Sequence, residues 1–114
     1  MPVDFSVSPL SLDEKFIVEV CGEVDLFTAP DLKEAISGGI DAGADTIIVD
    51  LTQATFLDST ALGVLIGAVK RLRATDGGLS IVNVNSNIAK TFEITGLDQI
   101  FKIYESREQA LASG

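Results

Sequence analysis

The chain has 114 residues, with 17 Asp and Glu against 8 Lys and Arg, no His and a formal net charge of −9. That length reads as one domain spanning residues 1–114, able to bury roughly 65% of the surface its unfolded form exposes. Its acidity makes phosphate backbones poor partners, so direct nucleic-acid binding is not expected. Without His there is no catalytic triad, and no carboxylates cluster with Cys or His to specify a metal, so hydrolytic chemistry, redox chemistry and a cofactor are not expected either.

The alternating Asp4-Phe5-Ser6-Val7-Ser8 and the apolar, β-branched Lys15 to Cys21 read as a hairpin turning near Pro9 to Glu14. Cys21, the single cysteine, cannot form an internal disulfide and is expected as a core thiol of a reduced, cytoplasmic protein. Thr28 supplies a hydroxyl cap, Pro30 and Asp31 fill a first turn, and Leu32, Ala35 and Ile36 share one face, which predicts a helix. Thr46 to Leu51 is short and apolar on successive residues, as a strand covered on both faces should be.

After Phe56-Leu57, the chain places Asp58, Ser59 and Thr60 where a strand gives way to a helix. Asp58 suits an N-cap, accepting from the amide of Thr60 or Ala61. A hydroxyl on this turn is also a natural phosphate switch, because the first amides of a helix lack intrahelical partners and sit at the positive end of its dipole. Capping alone accounts for the same three residues. Along the helix Leu62, Leu65, Ile66, Val69 and Leu72 face the sheet, while Gly63 and Gly67 form a stripe without side chains, each costing ~1 kcal/mol relative to Ala. Either the stripe packs closely inside the domain or a partner docks on it beside Ser59. Lys70-Arg71-Leu72-Arg73 reads as a solvated helix end.

A second buried strand, Leu79 to Val84, follows the Gly77-Gly78 turn, and two such strands around a helix imply a right-handed β-α-β unit. Ser86 to Thr95 reads as a helix with Ile88, Phe92 and Ile94 inward and Gly96 as its stop. Ile100 to Tyr104 then reads as a strand, with Ser106 capping a last helix to about Leu111. These elements predict an α/β sandwich with helices on one or both faces of a mixed sheet. No charged-then-apolar leader opens the chain, and its longest uncharged apolar stretch, Ala61 to Val69, falls far short of the ~20 residues that cross a bilayer. No membrane association is expected.

The segment Phe56-Leu57-Asp58-Ser59-Thr60-Ala61-Leu62-Gly63-Val64-Leu65 resembles the phosphorylatable motif of the anti-sigma factor antagonists, in the STAS domain family, where Asp-Ser-Ser/Thr-Gly-Leu-Gly-Val follows a strand. Gly22-Glu23-Val24-Asp25 with Thr28-Ala29 is similar to the family's Gly-Glu-Leu-Asp segment and the helix start after it. Glu93-Ile94-Thr95-Gly96-Leu97 is similar to its Met-Ser-Gly-Leu segment. The three landmarks fall in the family's order across most of the chain.

The resemblance implies an STAS-type α/β domain with a mixed four- to five-stranded sheet packed with about four helices. It implies phosphorylation of the residue after the motif Asp, Ser59, with Thr60 as the neighbouring fallback acceptor. Ala61 stands where the family usually has Gly, which stiffens the first turn. The implied partners are an anti-sigma factor with serine kinase activity, which the unmodified chain binds to free a sigma factor, and a serine phosphatase that reverses the modification. Such a chain would be a non-enzymatic bacterial phosphoprotein that regulates transcription by partner switching in a stress response. It lacks the Gly-rich loops of nucleotide chemistry and would be the kinase's substrate. Glu23, Asp25 and Thr28 would contact the partner together with Asp58, Ser59, Gly63 and Gly67, although Glu23 and Asp25 read equally well as solvated turn residues. Two alternatives use the same residues differently: an STAS interaction module of another signalling or lipid-transport complex, and an acyl carrier protein, whose Asp-Ser-Leu motif is similar but whose helical bundle conflicts with the β-branched Ile47-Ile48-Val49.

Overall fold

The computed structural model describes the backbone of residues 5–12 and the backbone and side chains of residues 15–112. In chain order the elements are β1 (Phe5–Leu12), β2 (Lys15–Val24), α1 (Ala29–Asp41), β3 (Thr46–Leu57), α2 (Ser59–Arg73), β4 (Gly78–Val82), α3 (Ser86–Thr95), a 3₁₀ turn over Leu97–Gln99, β5 (Lys102–Tyr104) and α4 (Arg107–Ala112). The strands lie side by side in the order β1-β2-β3-β4-β5. β1 is antiparallel to β2, and β2 through β5 are parallel. Each parallel crossover steps one strand in the same direction, so the right-handed rule carries α1, α2 and α3 to one face.

On that face Val18, Val20, Ile47, Val49, Leu51 and Ile81 meet Leu32 and Ile36 of α1, Leu65 and Leu72 of α2, and Phe92 of α3 in one core. The alternate side chains Ile17, Ile48 and Val82 point the other way and pack with Ala110 of α4. Helices therefore cover both faces, three against one. This explains why Ile47-Ile48-Val49 is apolar without alternation. α4 is also tied by polar contacts: Arg107 donates to Asp50 and Glu19, and the Lys15 ammonium donates to the carbonyl of Leu111 at 2.6 Å. Ser106 caps it, its hydroxyl accepting from the amide of Gln109 at 3.2 Å.

Several local expectations shift in the folded chain. Pro9 to Leu12 belong to β1, which pairs as far as Leu12 opposite Lys15; Asp4 and residues 13 and 14 lie outside the described residues. β3 runs six residues beyond Leu51 because it pairs with β2 to the end, Glu23 opposite Phe56 and Val24 opposite Leu57. Register shifts after Glu19 and after Gly22 each insert one extra residue into β3. Its buried positions accordingly step by three, Leu51, Ala54 and Leu57, where a regular strand would step by two. β4 stops at Val82, because the buried Asn83 amide side chain bonds the backbone of Asn85 in both directions and turns the chain.

Ile94 is exposed, contrary to its expected inward position, and Leu97 is buried in its place. The cause is Gly96, whose φ of +74° ends α3 and swings the next turn back onto the core. Cys21 is only half-buried and outside both apolar clusters, a correction to the expected core thiol. Strand alternation puts it on the α4 face, and the short α4 leaves that part uncovered.

Among the helical glycines of the described residues, one is required by packing. A Cβ on Gly39 of α1 would lie 2.4 Å from Cδ2 and 2.6 Å from Cγ of the Phe16 ring. In an uncrowded helix Gly→Ala is stabilising by ~1 kcal/mol. Here Gly39→Ala is expected to destabilise by about 1–3 kcal/mol through overpacking, measured as a lower urea midpoint at unchanged slope.

Candidate functional site

β2 and β3 end together, and the Asp58 amide donates to the carbonyl of Val24 at 3.1 Å, joining the two strand ends. Asp58 is still extended, and α2 begins at the next residue. Its carboxylate accepts from the amide of Ala61 at 3.0 Å and its carbonyl from that of Leu62 at 3.1 Å, so it is the N-cap expected from the sequence. Ser59 is the first helical residue and is exposed, Thr60 is half-buried, and Ala61 is fully buried. An anion on the Ser59 hydroxyl would meet the positive end of α2 and the first-turn amides that the cap leaves over.

The neighbouring β2–α1 loop is built by its own polar groups. The Asp25 carboxylate accepts from the amides of Phe27 at 2.9 Å and Thr28 at 3.2 Å. The Thr28 hydroxyl accepts from the Asp25 amide at 2.9 Å and reaches the Glu23 carbonyl at 3.1 Å. Thr28 therefore stands at the N-cap position of α1 without making a side-chain cap bond, its hydroxyl being engaged within the loop. Of the three residues carried over from this segment, Glu23 alone is exposed, Asp25 and Thr28 being half-buried.

That rigid loop holds two apolar side chains in solvent, Leu26 at 64% and Phe27 at 84% exposure, while Phe56 opposite Glu23 is 49% exposed. These three were not anticipated. Their one signal is two adjacent apolar residues, Leu26-Phe27, in the middle of an otherwise polar turn. Glu23, Asp25, Thr28, Asp58 and Ser59 thus gather at one end of the sheet, and the Glu93 to Leu97 segment lies at the other, where α3 ends before β5 begins.

Gly63 and Gly67 run away from that end along α2. They face a groove of about 320 Å³ between α1 and α2, lined also by Lys33, Ser37, Ile40, Thr60, Val64 and Arg71. Among the described residues a Cβ on either glycine would meet nothing within 4 Å, so close packing against them does not account for the two glycines. Arg71 is held at the lower end of the groove by Ser37 at 3.2 Å and Asp41 at 3.0 Å. The α1 wall was not legible from the sequence, because the side of a helix that turns toward its neighbour depends on the assembled fold. Among the described residues no group of three or more Cys, Asp and Glu is placed to hold a metal ion, and no helix is long and apolar enough to cross a membrane.

A parallel sheet with one antiparallel edge strand, carrying a capped helix whose first residue is an exposed serine, is the arrangement that the motifs anticipate, and a profile of the STAS domain matches residues 9–110. The chain belongs to the STAS domain family. An anti-sigma-B factor antagonist of Staphylococcus aureus is 33% identical to it over 106 residues, which span 93% of this chain and 98% of that protein. Among solved structures, an anti-sigma factor antagonist from Mycobacterium paratuberculosis matches with a TM-score of 0.89 at 28% identity, over 96% of this chain and 92% of the other. The Bacillus cell fate determinant SpoIIAA in its phosphorylated form matches at 0.73 with 25% identity, over 96% and 97%.

Proposed function

We propose that this chain is an anti-sigma factor antagonist of the bacterial cytoplasm which, unmodified, binds an anti-sigma factor with serine kinase activity and frees a sigma factor. Phosphorylation of Ser59 by that partner switches it off, and a serine phosphatase restores it. The observation that carries the reading is the exposed Ser59 hydroxyl on the first helical residue, beside a cap already supplied by Asp58. The relatives, named as anti-sigma factor antagonists and including one solved in a phosphorylated form, support it. Ser59 is preferred to Thr60 because Thr60 is half-buried at the mouth of the α1–α2 groove. ATP chemistry comes from the partner, and this chain is its substrate.

The test is to incubate the purified chain with ATP and the anti-sigma kinase of the same genome, then map the phosphate by mass spectrometry. Ser59→Ala is expected to abolish incorporation and Thr60→Ala to retain it. Incorporation at Thr60 in the Ser59→Ala protein at the wild-type rate would reassign the acceptor. Tight binding without any incorporation would leave an STAS interaction module with no switch.

A further inference from the structure

Gly63 and Gly67 lie inside a 15-residue helix, where each costs ~1 kcal/mol relative to Ala. Gly39 accommodates the Phe16 ring, whereas among the described residues nothing lies within 4 Å of where a Cβ on Gly63 or Gly67 would stand. They open onto the α1–α2 groove, whose walls are apolar at Ile36, Ile40, Val64 and Ala68. The charged residues of its lining are two cations, Lys33 and Arg71, in a chain where acids outnumber bases 17 to 8. Arg71 is already paired with Asp41, while Lys33 has no ion-pair partner among the described residues. The groove opens at Thr60, the residue after the proposed acceptor.

Both walls are helices whose backbone groups bond within themselves, so a segment entering the groove must satisfy its own backbone. A helix does so, and an extended peptide does not. From Thr60 to Arg71 the groove is about 16 Å long, or three helical turns. Bare glycine backbone lets a third helix approach near the short limit of the ~8–10 Å interaxial range. We propose that the groove seats an amphipathic helix of the anti-sigma partner, its apolar face against Gly63 and Gly67 and a carboxylate opposite Lys33. This rests on the reading of the chain as an anti-sigma factor antagonist and names a second contact surface beyond the acceptor.

The test is calorimetric titration of the purified anti-sigma kinase of the same genome into wild type, Gly67→Leu, Lys33→Glu and Ser59→Glu, each checked by thermal melting and sedimentation. Gly67→Leu is expected to melt at or above the wild-type temperature, since its side chain enters open space, yet to bind about tenfold more weakly or worse. Lys33→Glu is expected to weaken binding by an amount that shrinks as salt rises. Wild-type affinity of a folded Gly67→Leu, with Ser59→Glu weakened, overturns the groove proposal and keeps the switch. The reverse pattern keeps the groove and overturns the switch. No binding by any form overturns both. A wild-type dimer that Gly67→Leu dissociates assigns the groove to a second copy of the chain and overturns the proposal.

Discussion

Replacing Arg107 by Ala is expected to destabilise the domain by about 3 kcal/mol, because it leaves a buried carboxylate without its counter-ion. α4 has six residues, too few to hold as an isolated helix. Its apolar anchoring is small, the buried Ala110 and the partly buried Leu111 against Ile17, Ile48 and Val82. The Arg107 guanidinium adds the span from α4 to Glu19 on β2 and Asp50 on β3. The Arg107 side chain keeps 30% of its exposure, which places the loss at the low end of the ~3–5 kcal/mol seen when one partner of a buried pair is removed.

The pH dependence follows from Asp50. Burial alone raises the pKa of its carboxyl group, but the Thr52 hydroxyl and amide and the Arg107 guanidinium outweigh burial and hold it below the ordinary 3.8. A carboxylate depressed on folding contributes stability that is present above the unfolded pKa and is lost as pH falls through the folded one. In Arg107→Ala burial persists while part of the opposing influence disappears, so Asp50 in the folded variant takes up its proton at a higher pH than in wild type. Urea unfolding between about pH 3 and pH 7 should show the gap between variant and wild type wide at neutral pH and narrowing in acid, as Asp50 takes up its proton in the variant before it does so in wild type. A gap independent of pH would show that Arg107 acts through packing alone. Replacing Asp50 and Arg107 together by Leu is expected to recover much of the loss, because the desolvated charge is then gone.

Contacts of this kind separate what could be read along the chain from what could not. The strand at Ile47-Ile48-Val49, the cap at Asp58 and the stop at Gly96 are each written within a few residues, and each falls where its local pattern puts it, while the strand expected over Leu79 to Val84 is right in place but ends at Val82. Asp50 and Arg107 are 57 positions apart, and no local pattern relates them. The three-residue stepping of Leu51, Ala54 and Leu57 depends on the pairing of β3 with β2, and so does the true length of both strands. Ile94 has helical spacing for the core, but Gly96 delivers Leu97 there instead. At the candidate site Asp58 and Ser59 were legible because a cap and a first-turn hydroxyl are adjacent in sequence. The mutual bonding of Asp25 and Thr28 was not, since acids and hydroxyls that shape a loop look the same in sequence as those that merely face water. Lys33 reads as one more solvated helix charge until α2 is set beside it.

Phosphorylation of Ser59 is expected to weaken binding of the anti-sigma partner by roughly 5- to 150-fold, the usual range of coupling between a modification and a binding site, while leaving the domain folded. The modification adds about −1.5 to −2 charge at neutral pH. Within the domain that charge meets two opposing influences, the amides at the start of α2 and the carboxylate of Asp58, and a helix-terminus interaction of ~0.3–1 kcal/mol shifts stability little in either direction. At an interface the balance is different. Phe27 and Phe56 make part of this end apolar, so a partner that covers it must strip water from the phosphate, and Glu23 and Asp58 already give the surface negative charge. Repulsion and desolvation then act on the complex and not on the free domain. Titration of the phosphorylated and unmodified chains into the partner measures the difference, and amide spectra with thermal melting test the unchanged fold. Because the second ionisation of a phosphate lies near pH 6, lowering the pH from about 7 to about 5.5 should return part of the lost affinity. A phosphorylated chain that melts well below the unmodified one, or whose amide pattern collapses, would instead make the switch a refolding of α2.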